Sequence, residues 1–150
     1  MQIVPDQRTI LGQASVGGPV ILVWDAVQRG TRHPTNGHNV VYHEFAHILD
    51  MRDGAADGTP ILPTREQYRQ WVRVCEKTFF QLRKAAQKGR KSLLDHYGAV
   101  HEAEFFAVAT EIFFDRPVRM QQELPELYQV LSSYYRQDTA ARENRYRSNT

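Results

Sequence analysis

The chain has 150 residues and a mass of 17.4 kDa, which suits one domain with its own hydrophobic core and is too short for two. Hydrophobic residues make up 41% of the sequence and charged residues 24%, proportions that exclude disordered and collagen-like classes. A net charge of +2 does not indicate nucleic acid or an anionic membrane as the main partner.

Three sequence features bear on where the protein works. The longest apolar run, residues 19–24, is far shorter than the ~20 residues of a membrane span. Residues 1–8 contain no apolar signal-peptide core, and the lone Cys75 cannot form an internal disulfide. We therefore expect a cytoplasmic protein without a membrane segment.

The first elements predicted are strands. Residues 3–33 carry strand signals, with glycine and proline punctuation at residues 17–19 and a β-branched apolar run at residues 20–24. We expect a small antiparallel N-terminal sheet here. Its strand at residues 20–24 is a candidate edge on which a peptide substrate pairs through backbone hydrogen bonds.

Helices are predicted for the remainder of the chain. Thr64 and Gln67 have the spacing of a capping box, and apolar residues then recur at helical steps. The polar, basic end of the chain is expected to be frayed. The predicted bounds are a buried helix at 39–52, a helical part at 64–137 with helices near 101–115 and 125–137, and a flexible tail at 138–150.

The buried helix carries the motif His-Glu-x-x-His. His43 and His47 are four residues apart and share one helix face, so both imidazoles can reach one metal ion. Glu44 projects beside that ion, where it can accept a proton from an activated water. The other residues from 40 to 49 are uncharged, and burying an unpaired carboxylate among them by chance is unfavourable. We therefore predict a zinc site rather than two core histidines bound to Glu44.

A third zinc ligand must come from elsewhere in the chain, because catalytic zinc sites use three protein ligands and one water. The best source is the apolar segment 101–114, where Glu104 and Glu111 share a helix face two turns apart. Glu102 lies on another side, near the helix start, where a negative charge is favourable. We predict Glu104 as the ligand of one zinc ion per chain. The other candidates are His33, His38, His96, His101 and the remaining carboxylates after residue 50.

Glu111 suits a supporting role. It lies ~10 Å beyond Glu104 along the helix, too far for both to bind one ion. A carboxylate at this position can instead orient a ligand imidazole by accepting its other N–H. Asp50, one turn after His47, is the alternative for this role, or else it helps to end the helix with Asp53 and Gly54.

Three segments together resemble a known family: HEFAHILDMRDG at 43–54, EFFAV at 104–108 and EIFF at 111–114. They are similar to the MtfA family of bacterial zinc-dependent peptidases, also called glucose-regulated metallopeptidases, and the similarity runs from about residue 11 to 138. Family members carry a further N-terminal region, so the resemblance implies that this chain is the catalytic portion.

The resemblance implies a zincin-like α+β fold of the gluzincin type, mainly helical, like the catalytic domain of anthrax lethal factor. His43, His47 and Glu104 are then the zinc ligands and Glu44 the general base. Tyr97, seven residues before Glu104, matches the spacing of the lethal factor tyrosine that stabilises the oxyanion, although it can also be an ordinary loop residue.

One position departs from the gluzincin pattern. Many gluzincins have an acid four residues after the glutamate ligand, where it orients a zinc histidine, and this chain has Val108 there. The resemblance therefore leaves that role to Glu111 or Asp50.

The family resemblance implies aminopeptidase-type hydrolysis of a peptide substrate and binding of the transcriptional repressor Mlc, which links the protein to sugar uptake. The alternative is a zinc-containing binding protein that sequesters a repressor with little proteolysis. Glu44 favours an enzyme, because a purely structural zinc site needs ligands but no general base.

Overall fold

We describe the protein from a computed structural model, which covers residues 12–13, 17–33 and 37–149. The structure is mainly helical, as predicted. Two short 3₁₀ helices lie at Met51–Asp53 and His96–Ala99. The other elements are β1 (Gly12–Gln13), β2 (Ile21–Leu22), α1 (Trp24–Arg32), α2 (Val40–Asp50), α3 (Arg65–Gln87), α4 (Glu102–Asp115), α5 (Pro117–Glu123), α6 (Pro125–Tyr135) and α7 (Thr139–Ser148).

The predicted N-terminal sheet is not confirmed at its predicted extent. β1 and β2 pair antiparallel over two residues each, with Gly12 opposite Leu22 and Gln13 opposite Ile21. The parts of the prediction at residues 3–11 and 14–16 lie outside the described residues.

The strand prediction is wrong for Trp24–Arg32, which forms α1. Ala26 and Gly30, four residues apart, are its buried positions, the spacing of one helix face. Asp25 in the first turn and Arg29 in the last complement the helix dipole. The apolar run that predicted a strand therefore ends where this helix begins.

Helix α2 is closed at its start by Asn39. The Asn39 side-chain oxygen accepts hydrogen bonds from the backbone N–H groups of Val41 at 3.1 Å and Tyr42 at 3.3 Å. Such an N-cap satisfies donors that have no partner within the helix. The capped helix packs against α4, and this contact brings the His-Glu-x-x-His segment next to the acids of α4.

Gly58 is hydrogen-bonded to the end of α2 and to α3, and it lies against the start of α4. Its backbone N–H donates to Asp50 Oδ2 at 3.0 Å, and its carbonyl oxygen accepts from Trp71 Nε1 at 3.0 Å. Gly58 has a φ of +76°, and a Cβ here would lie 2.4 Å from the Glu102 carbonyl oxygen. Only glycine fits this left-handed conformation and this close approach.

Aromatic side chains fill the space between α3, α4 and α6. Trp71 meets Phe106 with ring centroids 5.4 Å apart and Tyr134 at 5.6 Å. We call this cluster of rings the aromatic core; its members are Trp71, Phe79, Phe105, Phe106, Phe113, Tyr128, Tyr134 and Tyr135.

The predicted cap of α3 is confirmed, since Thr64 Oγ1 accepts from Gln67 N at 3.1 Å.

Within the tail that was predicted to be flexible at 138–150, residues Thr139–Ser148 form helix α7. Asp138 caps this helix, and the Thr139 hydroxyl donates to the Phe113 carbonyl oxygen at 2.8 Å. Thr139 and Ala140 are buried against the core. Polar composition alone does not reveal these long-range contacts. In the described part of the chain, no helix has the length and apolar character needed to cross a membrane.

Candidate metal centre

Two histidines of α2 and one glutamate of α4 converge on a single point. His43 Nε2 lies 3.0 Å from Glu104 Oε2 and 3.2 Å from His47 Nε2, and His47 Nε2 lies 3.5 Å from Glu104 Oε2. Donor atoms bound to one tetrahedral zinc at ~2.0–2.1 Å are ~3.3 Å from one another. The three predicted ligands therefore form a triangle of the size that one zinc ion requires.

The hydrogen bonding of His43 favours a cation at this point. His43 Nδ1 lies 2.6 Å from Glu111 Oε1, and in the neutral ring that a metal ligand requires, Nδ1–H donates to that carboxylate. The Nε2 lone pair then faces an oxygen of Glu104 and a nitrogen of His47. A metal ion satisfies all three groups at once. Among the described residues, these three side chains are the one group of histidines, cysteines and acids close enough to share an ion.

The pKa values of His43 and Glu104 indicate that their surroundings stabilise a positive charge at this point. Burial lowers the pKa of His43, but hydrogen bonds to Glu104 and Glu111 outweigh it and raise the pKa to about 10. For Glu104, burial raises the pKa, yet hydrogen bonds from His43 and His47 bring it down to about 2. A proton on His43 therefore competes with a metal ion for the site.

Glu44 follows His43 on α2 and is buried, with 5% of its surface exposed. Burial raises its pKa; His43 and His47 oppose this shift, whereas Glu104 and Glu111 add to it. A carboxylate with a raised pKa is a stronger base than an ordinary one.

Tyr97 lies at the rim of the centre. Its ring centroid is 6.2 Å from that of His43, and 38% of its surface is exposed. The backbone N–H of Tyr97 donates to Asp95 Oδ1 at 2.8 Å, which fixes the 3₁₀ turn that carries the tyrosine. Asp95 Oδ2 also faces His38 Nδ1 at 3.9 Å, so this turn is joined to the loop that precedes α2.

The other acids take different places. Glu111 contacts His43 directly, from the position one turn beyond Val108, which is buried in the core. Asp50 is buried at the end of α2, where it accepts from Gly58 N and lies within electrostatic reach of His47. Glu102 is exposed at the start of α4, in agreement with the favourable position next to the helix dipole.

The remaining histidine candidates are exposed. One of them, His101, caps α4 by accepting from Ala103 N at 3.1 Å. The others are His33, His38 and His96.

Sequence reasoning missed two residues beside Glu111. Asn39 donates its backbone N–H to Glu111 Oε2 at 2.6 Å, and Asp115 is buried one turn after Glu111. An asparagine before an apolar helix is a recognisable cap signal. Its contact with Glu111, 72 positions away, is not visible in the sequence.

A helix bearing His-Glu-x-x-His, completed by a glutamate from a second helix, is the type of centre found in metallopeptidases. The family comparison agrees with this class. Residues 1–136 match the family described as glucose-regulated metallo-peptidase M90, and the chain belongs to that family. The predicted resemblance is thereby confirmed, and the family implies a bound metal ion.

Individual relatives support the same assignment. The chain is 41% identical over 118 residues to the uncharacterized protein slr2042 of Synechocystis, covering 79% of this chain and 43% of that protein. It is 34% identical over 145 residues to Mlc titration factor A of Pectobacterium atrosepticum, covering 92% of this chain and 52% of that protein. It is 36% identical over 134 residues to Mlc titration factor A of Edwardsiella ictaluri, covering 87% of this chain and 50% of that protein. The chain thus spans about half the length of these relatives.

Proposed function

We propose that the chain is the catalytic portion of a zinc-dependent peptidase with a zincin-like fold, acting in the cytoplasm on peptides with a free N-terminus. The observation that carries this proposal is the convergence of His43 Nε2, His47 Nε2 and Glu104 Oε2 beside the buried Glu44. Side chains arranged in this way suit hydrolysis, because a base stands next to the ion that activates water.

Three residues hold the ion and two support them. His43, His47 and Glu104 are the proposed zinc ligands, and Glu111 orients His43 through its Nδ1–H. Asp50 remains an alternative support, acting on His47 through its charge.

The proposed mechanism assigns each remaining step to a side chain. When bound, zinc supplies the Lewis acidity that makes water a nucleophile near neutral pH. Glu44 takes the proton of the attacking water and passes it to the leaving amine. Tyr97, at the exposed rim, donates a hydrogen bond to the carbonyl oxygen as negative charge develops there.

A second function is favoured by the names of the relatives. Several are called Mlc titration factor A, which supports a proposal that this chain also binds a transcriptional repressor of the Mlc type. In the strict form of this alternative, the protein is a zinc-containing binding protein that sequesters the repressor. Glu44 then has no catalytic task.

Replacement of the proposed base separates the two functions. Glu44→Gln keeps the size of the side chain but cannot accept the proton, so we expect retained zinc and a ~10²–10⁴-fold loss of turnover. Metal content is measured by atomic emission and turnover on peptides with free or blocked N-termini. The matched control is Glu102→Gln, which changes an exposed acid and leaves both values unchanged.

Wild-type turnover in Glu44→Gln would contradict the peptidase mechanism. Zinc-loaded wild-type protein that cleaves none of these peptides, yet binds purified repressor with one-to-one stoichiometry, would favour the binding protein. Cleavage of the blocked peptides alone would contradict the aminopeptidase assignment and leave the peptidase intact.

A further inference from the structure

Glu111 is held from two sides. One carboxylate oxygen lies 2.6 Å from His43 Nδ1, and the other accepts the backbone N–H of Asn39 at 2.6 Å. The second donor belongs to the N-cap of α2, the positive end of that helix, which stabilises a negative charge. The orientation of Glu111 therefore depends on the position of Asn39.

The Asn39 side chain makes further contacts that fix its own orientation. Its oxygen accepts from Val41 N and Tyr42 N, so its NH₂ group points the other way. The Asn39 side chain lowers the pKa of Asp115, which indicates that the two groups are near one another. A carboxylate accepts hydrogen bonds, and we infer that the Asn39 amide donates to Asp115.

Asp115 needs this donor because of where it lies. It is one helical turn after Glu111, has 8% of its surface exposed, and its Oδ2 has no hydrogen-bond partner among the described residues. Two buried carboxylates this close repel each other. Burial, and then the charge of Glu111, raise the pKa of Asp115 to about 7, while the Asn39 side chain and Arg116 oppose the shift.

We propose that Asn39 is a positioning residue of the metal centre: its backbone N–H fixes Glu111 and its side-chain amide offsets the charge of Asp115, so that Glu111 keeps His43 Nε2 directed at the metal. This inference rests on the proposed function, since it assumes that His43 is a ligand. It assigns a task to Asn39 beyond capping α2.

The test exchanges donor and acceptor. Asn39→Asp still caps the helix, since aspartate and asparagine are equally good N-caps. It replaces the donor to Asp115 with a third carboxylate, so we expect zinc affinity to fall ~10–100-fold. Adding Asp115→Asn to Asn39→Asp restores the hydrogen bond with reversed roles and the wild-type net charge. We expect this double variant to recover most of the affinity.

Two readouts are used on the full chain. Zinc affinity is measured by competition with a chelating dye. Long-range ¹⁵N NMR of the chelator-treated protein reports the His43 Nδ1–H, which we expect far downfield in wild type, shifted upfield in Asn39→Asp and restored in the double variant. The control Thr64→Asp adds the same charge at the α3 cap, remote in sequence from the centre, and should change neither readout.

If Asn39 only caps α2, the zinc affinity and the His43 Nδ1–H signal should be unchanged in Asn39→Asp. That result would overturn the inference. If Asn39→Asp fails to fold by circular dichroism, Asn39→Ser serves instead, because serine also caps but lacks the amide donor. The variant His43→Ala distinguishes a failure of this inference from a failure of the proposed ligand set. Weakened zinc binding in His43→Ala with wild-type binding in the Asn39 variants sinks this inference alone. Unchanged binding in His43→Ala sinks the proposed ligand set as well.

Discussion

Helix α4 has two opposite faces that are held by different forces. Its acidic face contains Glu104 and Glu111, and its aromatic face contains Phe106 and Phe113. The acids make polar contacts of 2.6 to 3.5 Å with imidazole nitrogens and a backbone N–H. The rings pack at centroid distances of 5.0 to 6.1 Å against other aromatic residues.

The two acids are seven residues apart, and so are the two phenylalanines. Each phenylalanine follows an acid by two residues, which is a rotation of about 200° around the helix. Aromatic packing stabilises the fold through the large apolar area that the rings bury. Ligand geometry depends strongly on direction and contributes function. We therefore expect changes on one face to affect metal binding and changes on the other to affect stability.

Loss of a ligand on the acidic face should have the largest effect. We expect Glu104→Ala to abolish peptidase activity and to weaken zinc binding strongly, because two histidines alone make an incomplete site. Glu102→Ala, two residues earlier and exposed, should leave both unchanged. Zinc titration and turnover measurements on the two purified variants check this pair. Equal zinc affinity in Glu104→Ala and wild type would show that the acidic face does not bind the ion.

A cavity on the aromatic face should affect stability instead. Phe106→Ala removes a fully buried ring that contacts Trp71 and Tyr134, so we expect the free energy of unfolding to fall by ~3–5 kcal/mol. The control is Phe80→Ala, whose ring is 57% exposed and should matter far less. Urea unfolding by fluorescence measures both. The folded fraction of Phe106→Ala should still bind zinc stoichiometrically, and loss of zinc from this folded fraction would contradict the separation of the faces.

The pH dependence of metal binding should show a smaller effect, confined to the acidic face. Since hydrogen bonding to Glu104 and Glu111 raises the pKa of His43 to about 10, a metal ion must displace a proton at any pH below that value. Zinc affinity should therefore rise about tenfold per pH unit between about pH 6 and 8. Chelator competition across this range measures the slope. Glu111→Gln should flatten it, whereas Phe80→Ala should leave it unchanged, and a flat wild-type profile would contradict the raised pKa.

The features of the sequence that follow local periodicity were predictable. The spacing of His43 and His47 and the shared face of Glu104 and Glu111 depend only on helix geometry, and the structure brings these side chains together. The cap at Thr64 likewise follows from a local signal. Such patterns are set within a few residues of the chain.

Contacts between distant segments were not predictable. The apolar run at residues 20–24 has the composition of a strand, yet Trp24 begins a helix that packs against α2. The polar tail is joined to the core by the bond from Thr139 to the Phe113 carbonyl oxygen, 26 positions away. The bond from Asn39 to Glu111 is of the same kind. Tertiary packing decides these elements, and local propensity is too weak to reveal it.

The ligand set is the central claim, and a crystal structure of the zinc-loaded protein with anomalous data at the zinc edge tests it most directly. We predict one zinc ion per chain, bound at ~2.0–2.2 Å by His43 Nε2, His47 Nε2 and a carboxylate oxygen of Glu104. Glu111 should remain on His43 Nδ1, outside bonding distance of the metal. A zinc ion bound by Glu111 or Glu102, with Glu104 turned away, would contradict the account.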